Sequence, residues 1–306
     1  MATSGVLEFY IICYNNNFCV EYQINTINFF CKDPFKIIIL DSNCGAYPKN
    51  SEDKKTICQK YGIEYIVMPN HLANVNNMSS PSFILGMKLN WTYENVIMKR
   101  NPTYFAFLDQ DFFMIRPFSI IKHLDKWGMW GDLMEPDNGR SGTFKRDKIK
   151  PDTPWVLHPW LSFYALDFIK PYKMDWLPTP QFDTGGKNWN NFISRANLNK
   201  TNYWFRDNII MYYPFAAHST AGDPPYQQHY CDCTSGKFYG QIQINNGFMH
   251  LLNSHILTDP LHPKTAVCKG MLDGILLANG FAFNVANGHE IFDSPCNKLV
   301  EPLLEV

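Results

Sequence analysis

The first 130 residues alternate short apolar runs with helix-patterned segments, and that alternation limits the fold more than any other feature. Leu7 to Cys13 (LEFYIIC), Phe35 to Leu40 (FKIIIL), Ile63 to Met68 (IEYIVM) and Tyr104 to Leu108 (YFAFL) are brief and rich in β-branched and aromatic residues. Runs of that length and make-up predict buried strands. Helix patterns fill the gaps: residues 19–32, a segment capped by Ser51 and stopped by Gly62, a helix from Ser80-Pro81 to about Met98, and residues 119–127. A serine N-cap followed by proline at the first helical position, and a glycine just past the last turn, are start and stop signals with a steric basis. Strands joined by helices of this length predict an α/β fold with a mostly parallel sheet. Ligands of such sheets bind outside the carboxyl ends of the strands, where the strand order reverses. The two ends carrying acids are Asp41-Ser42 and Asp109-Gln110-Asp111.

Composition narrows the class. With 27 Lys+Arg against 28 Asp+Glu the chain lacks the positive excess of a phosphate-tracking protein, so no nucleic-acid partner is expected. No uncharged apolar run reaches membrane-spanning length. Met1 to Gly5 has no basic leader pattern, and the nine cysteines, several in apolar or helical segments, suit a reducing compartment; a cytoplasmic location is the expectation. His229, Cys231 and Cys233 stand close together without a second spaced ligand pair, which disfavours structural zinc. Past Gly131 the pattern loosens: residues 137–152 read as a polar loop, residues 154–192 are dense in Trp, Tyr and Pro, and residues 265–278 read as a late helix ended by Gly280. No linker interrupts the chain, so a single domain over 1–306 is expected, with a nucleotide-binding half at 6–130 and an acceptor half at 131–306.

The chemistry-bearing feature is Asp109-Gln110-Asp111. A chain with 19 Asp contains roughly one such triplet by chance, so its placement directly after YFAFL is what counts. Two carboxylates at the end of a buried strand repel each other unless a cation sits with them, and a hard divalent ion with oxygen ligands is the natural partner.

Phe107-Leu108-Asp109-Gln110-Asp111-Phe112-Phe113, followed by Arg116-Pro117-Phe118, resembles the Asp-x-Asp segment of GT-A-fold, nucleotide-sugar-dependent glycosyltransferases. Residues 82–91 precede it as the donor-side helix does in those enzymes, Phe182-Asp183-Thr184-Gly185-Gly186 follows it like their acceptor-side segment, and Phe248-Met249-His250 with Asn253-Ser254-His255 falls where a late loop closes over the diphosphate. The late segment departs from the best-known closing motif in lacking its glycine and lysine.

The resemblance implies a Rossmann-like GT-A domain, a nucleoside-diphosphate sugar (UDP-sugar favoured, GDP-sugar possible) as donor, a hydroxyl of a glycan or protein as acceptor, and Mn²⁺ or Mg²⁺ as cofactor. Asp111 would bind the metal, Asp109 the metal or the donor ribose, and His250 would complete the site, with His255 as the second choice. Tyr14, Asn15, Asp41, Lys88, Asn90, Gln110, Ser254 and His255 would contact the donor. Asp183 would act as general base in a direct displacement. Trp155, His158, Trp160, Gly185, Gly186 and Trp189 would line the acceptor side, since sugar C–H faces stack on aromatic rings. Two other classes compete: a sugar nucleotidyltransferase, which needs an early glycine-rich loop where this chain has Cys13-Tyr14-Asn15-Asn16-Asn17, and a non-catalytic carbohydrate-binding protein, which leaves the paired acids unexplained.

Overall fold

The computed structural model describes residues 5–43, 47–72, 80–134, 136, 154–196, 198, 209–213, 227–230, 242–245, 248–251 and 263–281 of the chain. The chain gathers into two units built from interleaved segments: Met1–Asn17, Lys32–Gln110 and Ser119–Arg206 in the first; Phe18–Cys31, Asp111–Phe118 and Asp207–Val306 in the second.

The first unit carries a six-stranded sheet in the order β3-β2-β1-β4-β7-β6, made of β1 (Leu7–Cys13), β2 (Phe35–Asp41), β3 (Glu64–Val67), β4 (Tyr104–Asp109), β6 (Met129–Met134) and β7 (Val156–Ala165). β1, β2, β3 and β4 are parallel, whereas β7 runs antiparallel to both β4 and β6. The α/β class with a mostly parallel sheet is therefore the fold observed. β1 is buried along its whole length, as its unbroken apolar run requires of a strand covered on both faces. The strand order reverses between β1 and β4, and this places Tyr14 and Gln110 at the switch point. The partner of Leu108 on β7 is Leu161, so residues 156–160 run beyond the carboxyl end of β4 along the same edge.

Helix α2 (Pro48–Tyr61) begins four residues earlier than the Ser51 cap predicted, because Pro48 already supplies a first helical residue with preset φ. Its end is as expected: Gly62 adopts φ 64°, a left-handed conformation that costs glycine nothing. Ser80 caps α3 (Pro81–Thr92), its hydroxyl accepting from the Phe83 N–H at 3.3 Å. The helix then passes through a π turn at Tyr93–Ile97 into α4 (Met98–Arg100). Helices α5 (Ile121–Trp127) and α6 (Leu166–Ile169) complete this unit. Its aromatic core joins Tyr10, Phe105, Phe107, Trp155, Tyr164 and Trp176.

The second unit holds a five-stranded sheet in the order β5-β11-β10-β8-β9, from β5 (Phe112–Met114), β8 (Ile209–Tyr213), β9 (Gln227–Tyr230), β10 (Ile242–Asn245) and β11 (Phe248–Leu251), with helices α1 (Asn17–Phe30) and α7 (Pro263–Ala278). Tyr22 on α1 donates to the buried Asp273 of α7 at 2.6 Å. Gln23, also on α1 and fully buried, donates to the carbonyl of Phe112 at 2.8 Å and so fixes the start of β5. Cys13, Cys19, Cys31 and Cys58 are buried, as expected of cysteines used for packing; burial pushes the Cys58 thiol up to about 11. Among the described residues no helix is long and apolar enough to cross a membrane. The predicted loop at 137–152 and Cys231 and Cys233 lie outside the described residues.

Candidate metal and donor site

Two short elements build the metal-capable group. β4 ends at Asp109, the chain turns through Gln110, and Asp111 leads into β5. β11 then pairs antiparallel with β5, setting His250 opposite Phe112. That register brings the imidazole to the carboxylate of Asp111, with Nε2 3.3 Å from Oδ1, and both residues are buried. No hydrogen bond reaches Asp111 Oδ1 among the described residues, although the atom is shielded from water. A buried carboxylate oxygen left in that state costs free energy comparable to a lost hydrogen bond or more, and a cation removes the cost. With Asp109 upstream on the same turn, one ligand atom from each of Asp109, Asp111 and His250 lies within 4.8 Å of the others. Two carboxylates and an imidazole form a donor set suited to Mn²⁺, and a buried Oδ1 with no hydrogen bond is compatible with an ion there.

At the switch point in the first unit, Tyr14 leaves β1 with 38% of its surface exposed. The Tyr47 ring meets it edge-on, centroids 5.8 Å apart, and Lys88 Nζ lies 5.5 Å from its ring centre. Its backbone N–H donates to Gln110 Oε1 at 2.9 Å. Asn15 follows, its carbonyl accepting from Asn50 Nδ2 at 3.1 Å.

Asp41 takes a different place from the expected one. Its side chain is fully buried, and its oxygens accept from the Lys54 ammonium, from Tyr65 Oη at 2.5 Å and from the Asn43 N–H at 3.0 Å. Burial alone would raise its pKa, but the Lys54, Ser51 and Tyr65 partners outweigh it and hold the carboxyl below the usual carboxylate range. Asp41 is thus the counter-ion of a lysine, and no face of it is open to a nucleobase. Sequence reasoning missed Lys54. The available signal was its spacing, since Lys54 and Cys58 are one helical turn apart and are the two buried residues of α2.

Asn90 is also used internally. Its amide donates to Asp175 at 2.8 Å and its oxygen accepts from the Trp176 N–H at 2.8 Å, tying α3 to the 175–176 segment. Asp175 is half-buried, and desolvation alone would raise its pKa, yet Asn90, the Leu177 N–H and Lys187 together bring it below the usual range.

In the segment expected to face the acceptor, Asp183 is exposed at the head of a turn; its Oδ1 accepts from the Thr184 N–H at 2.7 Å, and the Gly186 N–H donates to its carbonyl at 3.0 Å. Gly185 takes φ 93°, and a Cβ there would come within 3.4 Å of Leu157 O and 3.6 Å of Pro159, so the turn packs on the projecting start of β7. A Cβ on Gly186 would meet Phe182 Cβ at 2.7 Å. The predicted helix after this turn is a π turn, Trp189–Ile193, preceded by Asn188, so Asp183 is not its cap. His158 and Trp160 are half-buried and stacked face to face, centroids 3.9 Å apart at 26°, with Trp160 Nε1 donating to Asp132 at 2.6 Å. Trp155, in contrast, is 2% exposed and is part of the core, so it offers no ring to a ligand; Trp189 packs against the same core from a partly buried position. Ser254, His255 and Trp204 lie outside the described residues.

No described protein family and no curated protein matches the chain. Among solved structures, it is similar to the mannosyltransferase PcManGT from Pyrobaculum calidifontis in complex with GDP-Man and Mn²⁺, at 11% identity over 54% of this chain and 46% of that one, TM-score 0.35. It is similar to S. aureus TarS 1–349 at 15% identity over 54% and 48%, TM-score 0.34, and to the mannosyltransferase Ktr4p from S. cerevisiae at 10% identity over 54% and 57%, TM-score 0.36. The chain spans about half the length of the structures it matches. Likenesses at this level leave the functional reading to the residues of this chain.

Proposed function

We propose that the chain is a divalent-metal-dependent GT-A glycosyltransferase that moves a sugar, a hexose in the favoured case, from a nucleoside diphosphate to a hydroxyl of a glycan or protein. The observation that carries this reading is the orphaned, buried Oδ1 of Asp111 beside His250, in an Asp-x-Asp turn that ends the strand at a topological switch point. Asp109, Asp111 and His250 would hold Mn²⁺ or Mg²⁺. When bound, that ion supplies Lewis-acid neutralisation of the leaving diphosphate. The exposed ring of Tyr14 offers the nucleobase a stacking face, with Lys88, Asn15 and Gln110 as neighbouring polar groups. A UDP-sugar is the favoured donor and a GDP-sugar the second choice.

Asp183 is the proposed general base. In a direct displacement the acceptor oxygen bonds to the anomeric carbon, the bond from that carbon to the diphosphate oxygen breaks, and the hydroxyl proton passes to the Asp183 carboxylate. Its exposure suits this role, and the buried Gly185 and Gly186 fix the turn that presents it. The stacked His158–Trp160 pair is the proposed platform for the acceptor sugar. The test is a thermal-shift panel of UDP-, GDP-, CMP- and dTDP-sugars with and without MnCl₂. One nucleotide class should raise the melting temperature only with manganese. A flat response across the panel refutes the assignment.

A further inference from the structure

Tyr14 is held in an unusual way for a residue so exposed. Its N–H donates to Gln110 Oε1 at 2.9 Å, and its C=O accepts from the ammonium of Lys54. Lys54 is itself well anchored: its side chain is fully buried and bound to Asp41, which Tyr65 and Asn43 hold in turn. Bonds to both polar groups of one residue constrain its φ and ψ, and with them the direction of the Cα–Cβ bond that carries the ring. One of the two grips belongs to α2. The other belongs to the middle residue of the Asp-x-Asp turn, so any adjustment of that turn is transmitted to Tyr14 by a single hydrogen bond.

We propose that Gln110 is a positioning residue that couples nucleobase binding at Tyr14 to cation binding by Asp109, Asp111 and His250, with Lys54 as the fixed anchor. The inference rests on the glycosyltransferase reading and deepens it. A cation that orders the turn sets Gln110, Gln110 sets Tyr14, and base affinity rises; by linkage, a bound base raises cation affinity by the same factor. Direct ligation of the metal by phosphates would mask this effect in a nucleotide. A nucleoside has no phosphate, so its response to the metal reports only the path through the protein.

The experiment is equilibrium dialysis of labelled uridine and guanosine against the full chain, in saturating MnCl₂ or in EDTA, with UDP and GDP in parallel. Wild type should bind the preferred nucleoside at least about 5-fold more tightly with manganese, the lower end of ordinary allosteric coupling. Gln110→Ala should bring that ratio to about 1, while Gln110→Glu, which keeps an acceptor at the same reach, should restore it. The added charge of glutamate changes manganese affinity, and saturating MnCl₂ keeps the metal arm fully loaded despite it. Nucleoside binding that is undetectable, indifferent to manganese in wild type, or equally coupled in Gln110→Ala overturns the proposal while leaving the enzyme reading intact if UDP or GDP still binds. Failure of both diphosphates to bind wild type with manganese removes the enzyme reading and this inference together.

Discussion

Asp41 and Asp111 occupy comparable places, each a buried carboxylate at the carboxyl end of a parallel strand or in the turn that follows one, yet their surroundings are opposite. Asp41 is answered by the chain itself, with Lys54, Tyr65 and Asn43 on its two oxygens. Asp111 has an imidazole 3.3 Å away and an oxygen with no hydrogen bond. Burying a carboxylate costs several kcal/mol of hydration, which has to be offset by something positive. Where the fold supplies the cation, the acid becomes part of the scaffold. Where it does not, the acid is the one we propose as a metal ligand.

The largest expected effect breaks the first half of this comparison. Lys54→Met strips Asp41 of its counter-ion and should destabilise the protein by about 3–5 kcal/mol in urea unfolding, whereas Lys54→Met combined with Asp41→Asn, which removes both charges, should recover most of the loss. Equal instability of the single and double variants would mean that packing, not charge, dominates there. The second effect breaks the other half. Asp111→Asn should weaken Mn²⁺ binding, read by electron paramagnetic resonance of the free ion, by more than about 100-fold, since removing a direct ligand should exceed the 10–100-fold typical of outer partners. Its melting curve without metal should change by much less than that of Lys54→Met, because Oδ1 has no hydrogen bond to lose and only the His250 imidazole at 3.3 Å beside it.

A third prediction sharpens the contrast through pH. The Asp41 carboxyl is held below its ordinary value of 3.8, so its contribution to stability is complete above that pH and is lost as the pH falls through the lower folded value. Acid unfolding should therefore steepen below about pH 4 and become shallower in the Lys54→Met, Asp41→Asn double variant. Glu8 and Asp175 also sit below their usual range and keep some of the acid limb. The smallest effect is a control away from both acids: Ser80→Ala, which removes the cap of α3, should cost about 1 kcal/mol.

Much of the architecture of the parallel strands and their helices was legible in the sequence, because apolar runs and cap residues act locally. Leu7–Cys13 was bounded to the residue, and Ser80, Pro81 and Gly62 did what their stereochemistry requires. The ten-residue strand Val156–Ala165 was not legible, since Pro159 and the surrounding aromatics obscure its alternation. Likewise β8 to β11 are each four or five residues long, too short for a period to emerge. For the candidate site, the Asp-x-Asp turn and His250 were singled out by type and order, and the structure brings their ligand atoms within 4.8 Å of one another. The partner of Asp41 was not, because the one local hint, the single-turn spacing from Lys54 to Cys58, is faint on a largely polar helix. Trp155 was misjudged for a related reason: a tryptophan's composition does not say whether its ring faces core or ligand.

The most direct measurement is an anomalous difference map, at the manganese absorption edge, from crystals of the full chain soaked in MnCl₂. The account predicts one strong peak shared by Asp109, Asp111 and His250. A map with no density among those three side chains, or with the ion held elsewhere, would contradict it.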